Sequence, residues 1–196
     1  HTTLVRYVYA MKFVLSGNAR NTARYPASLA GQVELMRDVL LGKGSPTRLF
    51  APVAIQQALL DERKQRIKSV LRKRTTALFE AHSATEIRAA IQLIERFELR
   101  GVLVNPDDVV PFIDDLKRLD IGIVARPVRV GDYDRYVDGL AEASISGVKI
   151  AFGSTASEDG RMTAALLMNA GMSREAALNG LTTGGAKLVG MPATAS

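Results

Sequence analysis

A regular alternation beginning near Thr76 constrains this chain more than any other feature. Short β-prone runs at residues 76–81, 101–105, 122–128 and 148–153 are separated by helical stretches, at spacings of about 20 to 25 residues. Parallel neighbours need a long crossover, usually a helix, whereas antiparallel ones can be joined by a tight turn. The order therefore predicts an α/β protein with four parallel strands and helical connections. Two of those connections are well marked. Ser83 and Glu86 have capping-box spacing, and Ile87, Ala90, Ile91 and Ile94 then recur on one helical face. Val109, Phe112, Ile113 and Leu116 form a second stripe after the turn Asn105-Pro106-Asp107-Asp108, in which an Asp is placed to cap the helix.

The rest of the chain is read around this alternation. Residues 161–170 predict a helix stopped by Gly171. Ser173 is a candidate N-cap for 174–179, and Thr182 or Thr183 starts a last short helix ending at Gly190. The first part is less regular. Residues 4–15 are apolar and β-prone, 18–26 turn-like, and 28–41 carry Leu29, Val33, Met36 and Leu40 on one stripe, while 42–46 read as a loop and 52–71 as helix. This divides the chain into an irregular and helical segment, 1–75, the strand–helix units of 76–191, and a tail, 192–196. The first residue is His rather than Met, which reads as a processed product, an excised domain or an incomplete record.

Composition removes several function classes. With 47% apolar residues in 196, the chain can bury a core and does not read as disordered. The absence of Cys excludes disulfides, thiolate metal sites and a cysteine nucleophile. No apolar run approaches the roughly 18 residues that suggest a membrane span, so a soluble protein is expected, of no determinable compartment. The net charge of +6 is concentrated in Arg63, Lys64, Arg66, Lys68, Arg72, Lys73 and Arg74, interrupted by Ile67, Val70 and Leu71 at helical spacing. That spacing reads as a solvated helix face; with no aromatic residue interleaved, a base-stacking nucleic-acid surface has little support. No phosphate-binding glycine loop and no Gly-x-Ser-x-Gly elbow follows a strand.

Residues 147–191, GVKIAFGSTASEDGRMTAALLMNAGMSREAALNGLTTGGAKLVGM, resemble the last strand and closing helices of the amidohydrolase superfamily, especially its imidazolonepropionase-like members. Residues 79–97, FEAHSATEIRAAIQLIERF, are similar to that family's fifth strand and helix, 101–119 to its sixth, and 24–38, RYPASLAGQVELMRD, to a segment of one bacterial branch. The resemblance implies a (β/α)₈ barrel, partial or complete, with its chemistry at the carboxyl ends of the strands. It also implies hydrolysis of C–N bonds other than peptide bonds by one or two divalent metals, typically zinc, that acidify a bound water. The implied ligands are a His-x-His pair on the first strand, a His on each of the fifth and sixth, and an Asp on the eighth that doubles as general base.

Carried over position by position, that ligand set is missing. Glu80 stands where the fifth-strand His belongs, and His82 matches only the second, non-ligand His of a His-Ala-His pattern. Asn105 replaces the sixth-strand His and Thr155 the eighth-strand Asp, while His1 and His82 are the only histidines. A neutral amide and a hydroxyl are poor zinc donors, and a Thr cannot serve as a base near neutral pH, so Glu80 alone is a weak metal candidate and no cofactor is expected. Glu80, His82, Asn105 and Thr155 form the candidate site. Glu80 and His82 alternate about Ala81 and should point to the same side. The plainer readings are that Glu80 pairs with an Arg and that His82 helps cap the helix entered at Ser83. Asp107 and Asp108 could hold a hard cation or simply start a helix, and the hydroxyl-rich turn at Ser154, Thr155 and Ser157 could hold an anion but for Glu158 and Asp159.

The expectation is a catalytically degenerate amidohydrolase-like domain with a binding or scaffold role, its open sheet edges covered by a protein partner or a second copy. Two alternatives stand beside it: an active metal-dependent hydrolase with an altered ligand set and an absent amino-terminal half, and a basic module that docks through residues 63–74.

Overall fold

The computed structural model describes residues 8–20, 25–43, 53–129, 131, 133–153 and 160–191. Within them lie five strands, β1 (Ala10–Val14), β2 (Thr76–Glu80), β3 (Gly101–Val104), β4 (Gly122–Ala125) and β5 (Ile150–Phe152). The helices are α1 (Leu29–Leu40), α2 (Val53–Leu71), α3 (Ala84–Arg96), α4 (Ile113–Arg118), α5 (Asp138–Ile145), α6 (Gly160–Asn169), α7 (Arg174–Leu181) and α8 (Gly184–Val189). All strand pairs are parallel and the spatial order is β1-β2-β3-β4-β5, the order of the chain. A doubly wound sheet reverses strand order part-way. This sheet has no reversal, so successive crossovers advance in one direction, as they do in a (β/α) barrel.

The register sorts the strand residues into two faces. Phe13, Phe79, Leu103, Ile123 and Ile150 align across the strands and are buried with Ile87, Ile91 and Ile94 of α3, Leu116 of α4, Leu140 of α5 and Leu167 of α6. Phe13 and Phe79 stack there at 5.0 Å. Gly101 opens this face to α3, because a Cβ at that position would lie 2.4 Å from Ile94. The opposite face carries the row Val14, Glu80, Val104, Val124 and Ala151. Its smaller cluster, Val102, Ala151 and Leu188, is covered by α8, and Gly122 makes room for Leu188, whose Cδ2 lies 2.2 Å from where a Cβ would stand.

Several local signals hold. Ser28 and Ser173 cap α1 and α7 by accepting from the N–H groups of Gly31 and Ala176, at 3.2 and 3.1 Å. Gly171 (φ 108°) follows α6, and Gly190 (φ 75°) closes α8. The buried Ile67 and Val70 turn inward on α2 while Arg63, Lys64, Arg66 and Lys68 stay exposed, which is the solvated face that their spacing predicts.

Other expectations are corrected. Among the described residues the sheet has five strands rather than four, because residues 10–14 pair with β2. β4 stops at Ala125 instead of Val128: Pro127 has no N–H to donate, and the Val128 N–H turns to the Thr163 hydroxyl at 3.0 Å. No Asp caps the helix after residue 108. A 3₁₀ turn at Val110–Phe112 leads into α4 without a side-chain cap, since Asp107 is engaged by Arg126 at 3.1 Å. The crossover from β4 to β5, a π-turn at Tyr133–Val137 running into α5, carries no clear periodic signal. No described helix is long and apolar enough to cross a membrane.

Candidate functional site

The site is built at the carboxyl ends of β1 and β2. Glu80 is the last residue of β2 and the one carboxylate in an otherwise apolar row, so its charge must be met locally. Lys12 lies on the adjacent strand, two residues below Glu80's register partner Val14, and its ammonium pairs with Glu80 Oε2. The second oxygen, Oε1, accepts from the Ser16 hydroxyl at 3.0 Å and lies 3.5 Å from His82 Nε2. Lys12 holds the Glu80 carboxyl below its ordinary range; burial opposes this, and Ser16 and His82 assist it. The Glu80 side chain is 15% exposed and that of Lys12 54%, so the pair is a lidded carboxylate with a solvated cation.

A second ionic node holds the first in place. Glu86, in the first turn of α3, is buried, and its Oε2 accepts from the backbone N–H groups of His82 at 2.9 Å and Ser83 at 3.1 Å. Its Oε1 pairs with Arg20. Arg20 in turn donates to the Leu15 carbonyl at 3.1 Å and through Nε to Gln32 Oε1 at 3.0 Å. Burial pushes the Glu86 carboxyl up, but the two N–H groups and Arg20 together bring it below the ordinary value. One carboxylate thus joins the β1 exit, α1 and the start of α3.

The structure brings Glu80 and His82 together, as their alternation suggests. Glu80's cationic partner is Lys12 rather than an Arg, because the neighbouring strand β1 brings a lysine within reach of it. The His82 backbone, rather than its ring, meets the helix start. Asn105 ends β3 with φ 57°, its N–H bonded to the Val124 carbonyl at 2.9 Å, and no hydrogen bond joins it to Glu80 or His82. Asn is among the few non-glycine residues that tolerate this left-handed backbone, which accounts for it without a ligand role. Thr155 and its neighbours at 154–159, like His1, lie outside the described residues. Asp107 and Asp108 face Arg126 and Arg135 at 3.1 and 3.9 Å.

The described donors around Glu80 do not make up a set for a divalent metal. Among the described residues no three His, Asp or Glu side chains converge, and the one candidate carboxylate has an ammonium on one oxygen and a hydroxyl donating to the other. Lys12, Ser16, Arg20 and Gln32 escaped the sequence reading; the only hint was a charge set between Met11 and Phe13 in an apolar run.

Among solved structures, the chain is similar to a crystal structure of an amidohydrolase from Thermotoga maritima MSB8, with a TM-score of 0.73 and 20% identity over 95% of this chain and 53% of that one. The fold is amidohydrolase-like. The chain therefore spans about half the length of that amidohydrolase. An uncharacterized metal-dependent hydrolase from Pyrococcus furiosus is also similar, with a TM-score of 0.49 and 18% identity over 75% of this chain and 34% of that one. No protein-family model matches the sequence, and no curated protein matches it. The strand order of the sheet agrees with that fold.

Proposed function

We propose that this chain is a catalytically degenerate amidohydrolase-like domain with a binding or scaffold role in a larger protein or assembly. The observation that carries the reading is the Lys12 ammonium closed on the Glu80 carboxylate at the strand end where a barrel hydrolase performs its chemistry. A lysine there supplies the positive charge that a metal would otherwise bring, but it cannot acidify a water as a divalent ion does. Asn105, held by its backbone conformation, and Thr155, with no accessible basicity, add no general base.

The scaffold role has a physical motive in the sheet. Among the described strands β1 and β5 are edges, and an uncovered edge presents backbone donors and acceptors to any strand that approaches. A partner or a second copy of the chain would cover them. The test is metal content: the purified chain, equilibrated with zinc and then dialysed, is expected to retain zinc, iron and manganese only well below stoichiometry. Stoichiometric metal together with hydrolysis of an amide substrate would overturn the reading in favour of an active C–N hydrolase with an altered ligand set, for which the similarity to an amidohydrolase is the support. Docking through the basic face of α2 predicts salt-sensitive retention on a polyanion column instead.

A further inference from the structure

At the other end of the sheet, far from Glu80, a cleft of about 490 Å³ opens at the amino ends of β3, β4 and β5, beneath α7 and α8. Ligand sites commonly enclose ~300–1,000 Å³. Val102, Ile150 and Leu188 give this cleft an apolar lining. Its polar lining is mainly cationic, with Arg100, Lys149 and Lys187 against a single carboxylate, Asp120. Lys149 satisfies Asp120 at 2.7 Å. The other two cations line the cleft without an acid: Arg100 donates to the main-chain carbonyl of Lys187 at 2.7 Å, and the Lys187 ammonium reaches the neutral Asn179 Oδ1 at 3.4 Å. Neither Arg100 nor Lys187 has a carboxylate partner among the described residues. An anion entering the cleft would meet two positive side chains whose charge no described carboxylate neutralises.

We propose that this cleft binds a small amphiphilic anion, a carboxylate or phosphate monoester on an apolar body, with its head between Arg100 and Lys187 and its body against Val102, Ile150 and Leu188. The guanidinium supplies a planar fork for two oxygens and the ammonium a mobile point charge. The apolar body displaces water from the floor, so head and body contribute separately. The site is independent of the chemistry proposed at Glu80, and its success or failure says nothing about metal binding there.

The test uses octanoate and octyl phosphate as probes, with octanamide as the neutral control, titrated into the whole chain by calorimetry and by amide chemical-shift mapping. Saturable one-to-one binding is expected, with octanamide about tenfold weaker, the loss of one charge-assisted contact. Shifts should centre on the amides of Gly101, Gly122 and Gly147, which line the cleft. Lys187→Met removes the ammonium but keeps the carbonyl that Arg100 holds, and it should weaken octanoate about five- to tenfold while leaving octanamide unchanged. Arg100→Gln should do the same; should it unfold α8, the Lys187 variant carries the test alone. A preference of octanoate over octyl phosphate, or the reverse, identifies the head group and supports the site either way. Equal binding of octanamide, unchanged affinity in Lys187→Met, or shifts centred elsewhere would overturn the proposal.

Discussion

Replacing Glu86 tests whether one buried carboxylate organises the carboxyl end of the sheet. In Glu86→Ala the N–H groups of His82 and Ser83 lose their acceptor, and Arg20 loses its ion partner while still tied to Leu15 and Gln32. Removing one member of a buried ion pair costs about 3–5 kcal/mol. Arg20 is about a quarter exposed, with 28% of its side chain reaching solvent, so the lower end, ~3 kcal/mol, is the expected value. Glu86→Gln keeps an oxygen for one N–H and should cost only about 1–2 kcal/mol. Urea unfolding followed by far-ultraviolet circular dichroism at pH 7 measures both. A double-mutant cycle with Arg20→Met isolates the pair, with a coupling of about 1–2 kcal/mol expected. Should Glu86→Ala fail to fold, Glu86→Gln and Arg20→Met carry the measurement. A loss under ~1 kcal/mol for Glu86→Ala would show that the loops hold without this node, and the reasoning would be refuted.

Further outcomes follow from the same geometry. Lys12→Gln should raise the pKa of Glu80 toward its ordinary value, read by carboxyl-carbon NMR titration, with a stability change below ~1 kcal/mol because Lys12 is solvated. Since Glu80 and Glu86 both titrate below their unfolded value of about 4.5, their stabilisation is complete above that pH and is lost as pH falls through the lower folded values; urea midpoints between pH 3 and 7 should show this, with a smaller slope in Glu86→Gln. Gly122→Val would drive a side chain into Leu188 and should destabilise by about 1–3 kcal/mol in the same unfolding assay. Asn105→Gly should be nearly neutral, whereas Asn105→Val should cost about 1–2 kcal/mol for a branched residue at φ 57°.

What the sequence made legible were the features with a local cause. The apolar stripe of α3, its capping box, the Ser173 cap and the stops at Gly171 and Gly190 each depend on residues within one or two turns, and all stand in the structure. β1 was visible as a β-prone run but not as a sheet member, because its partner lies more than sixty residues away. The pairing of Glu80 with Lys12 and of Arg20 with Glu86 is equally non-local. Alternation about Ala81 could place Glu80 and His82 on one side, but it could not say which cation would arrive from the neighbouring strand. Asn105 looked like a lost ligand in the chain; its backbone angle supplies a structural cause. No sequence pattern marks the cleft at Arg100 and Lys187, since 87 positions separate the two residues.

Chain order and spatial order coincide in this sheet. From β2 to β5 each strand can therefore dock on the one completed just before it, whereas β1 waits through more than sixty residues for β2. Pairings of modest sequence separation close quickly. Synthesis from the ribosome would then lay down β2 to β5 in turn, each adding its hydrogen bonds to the strand before it.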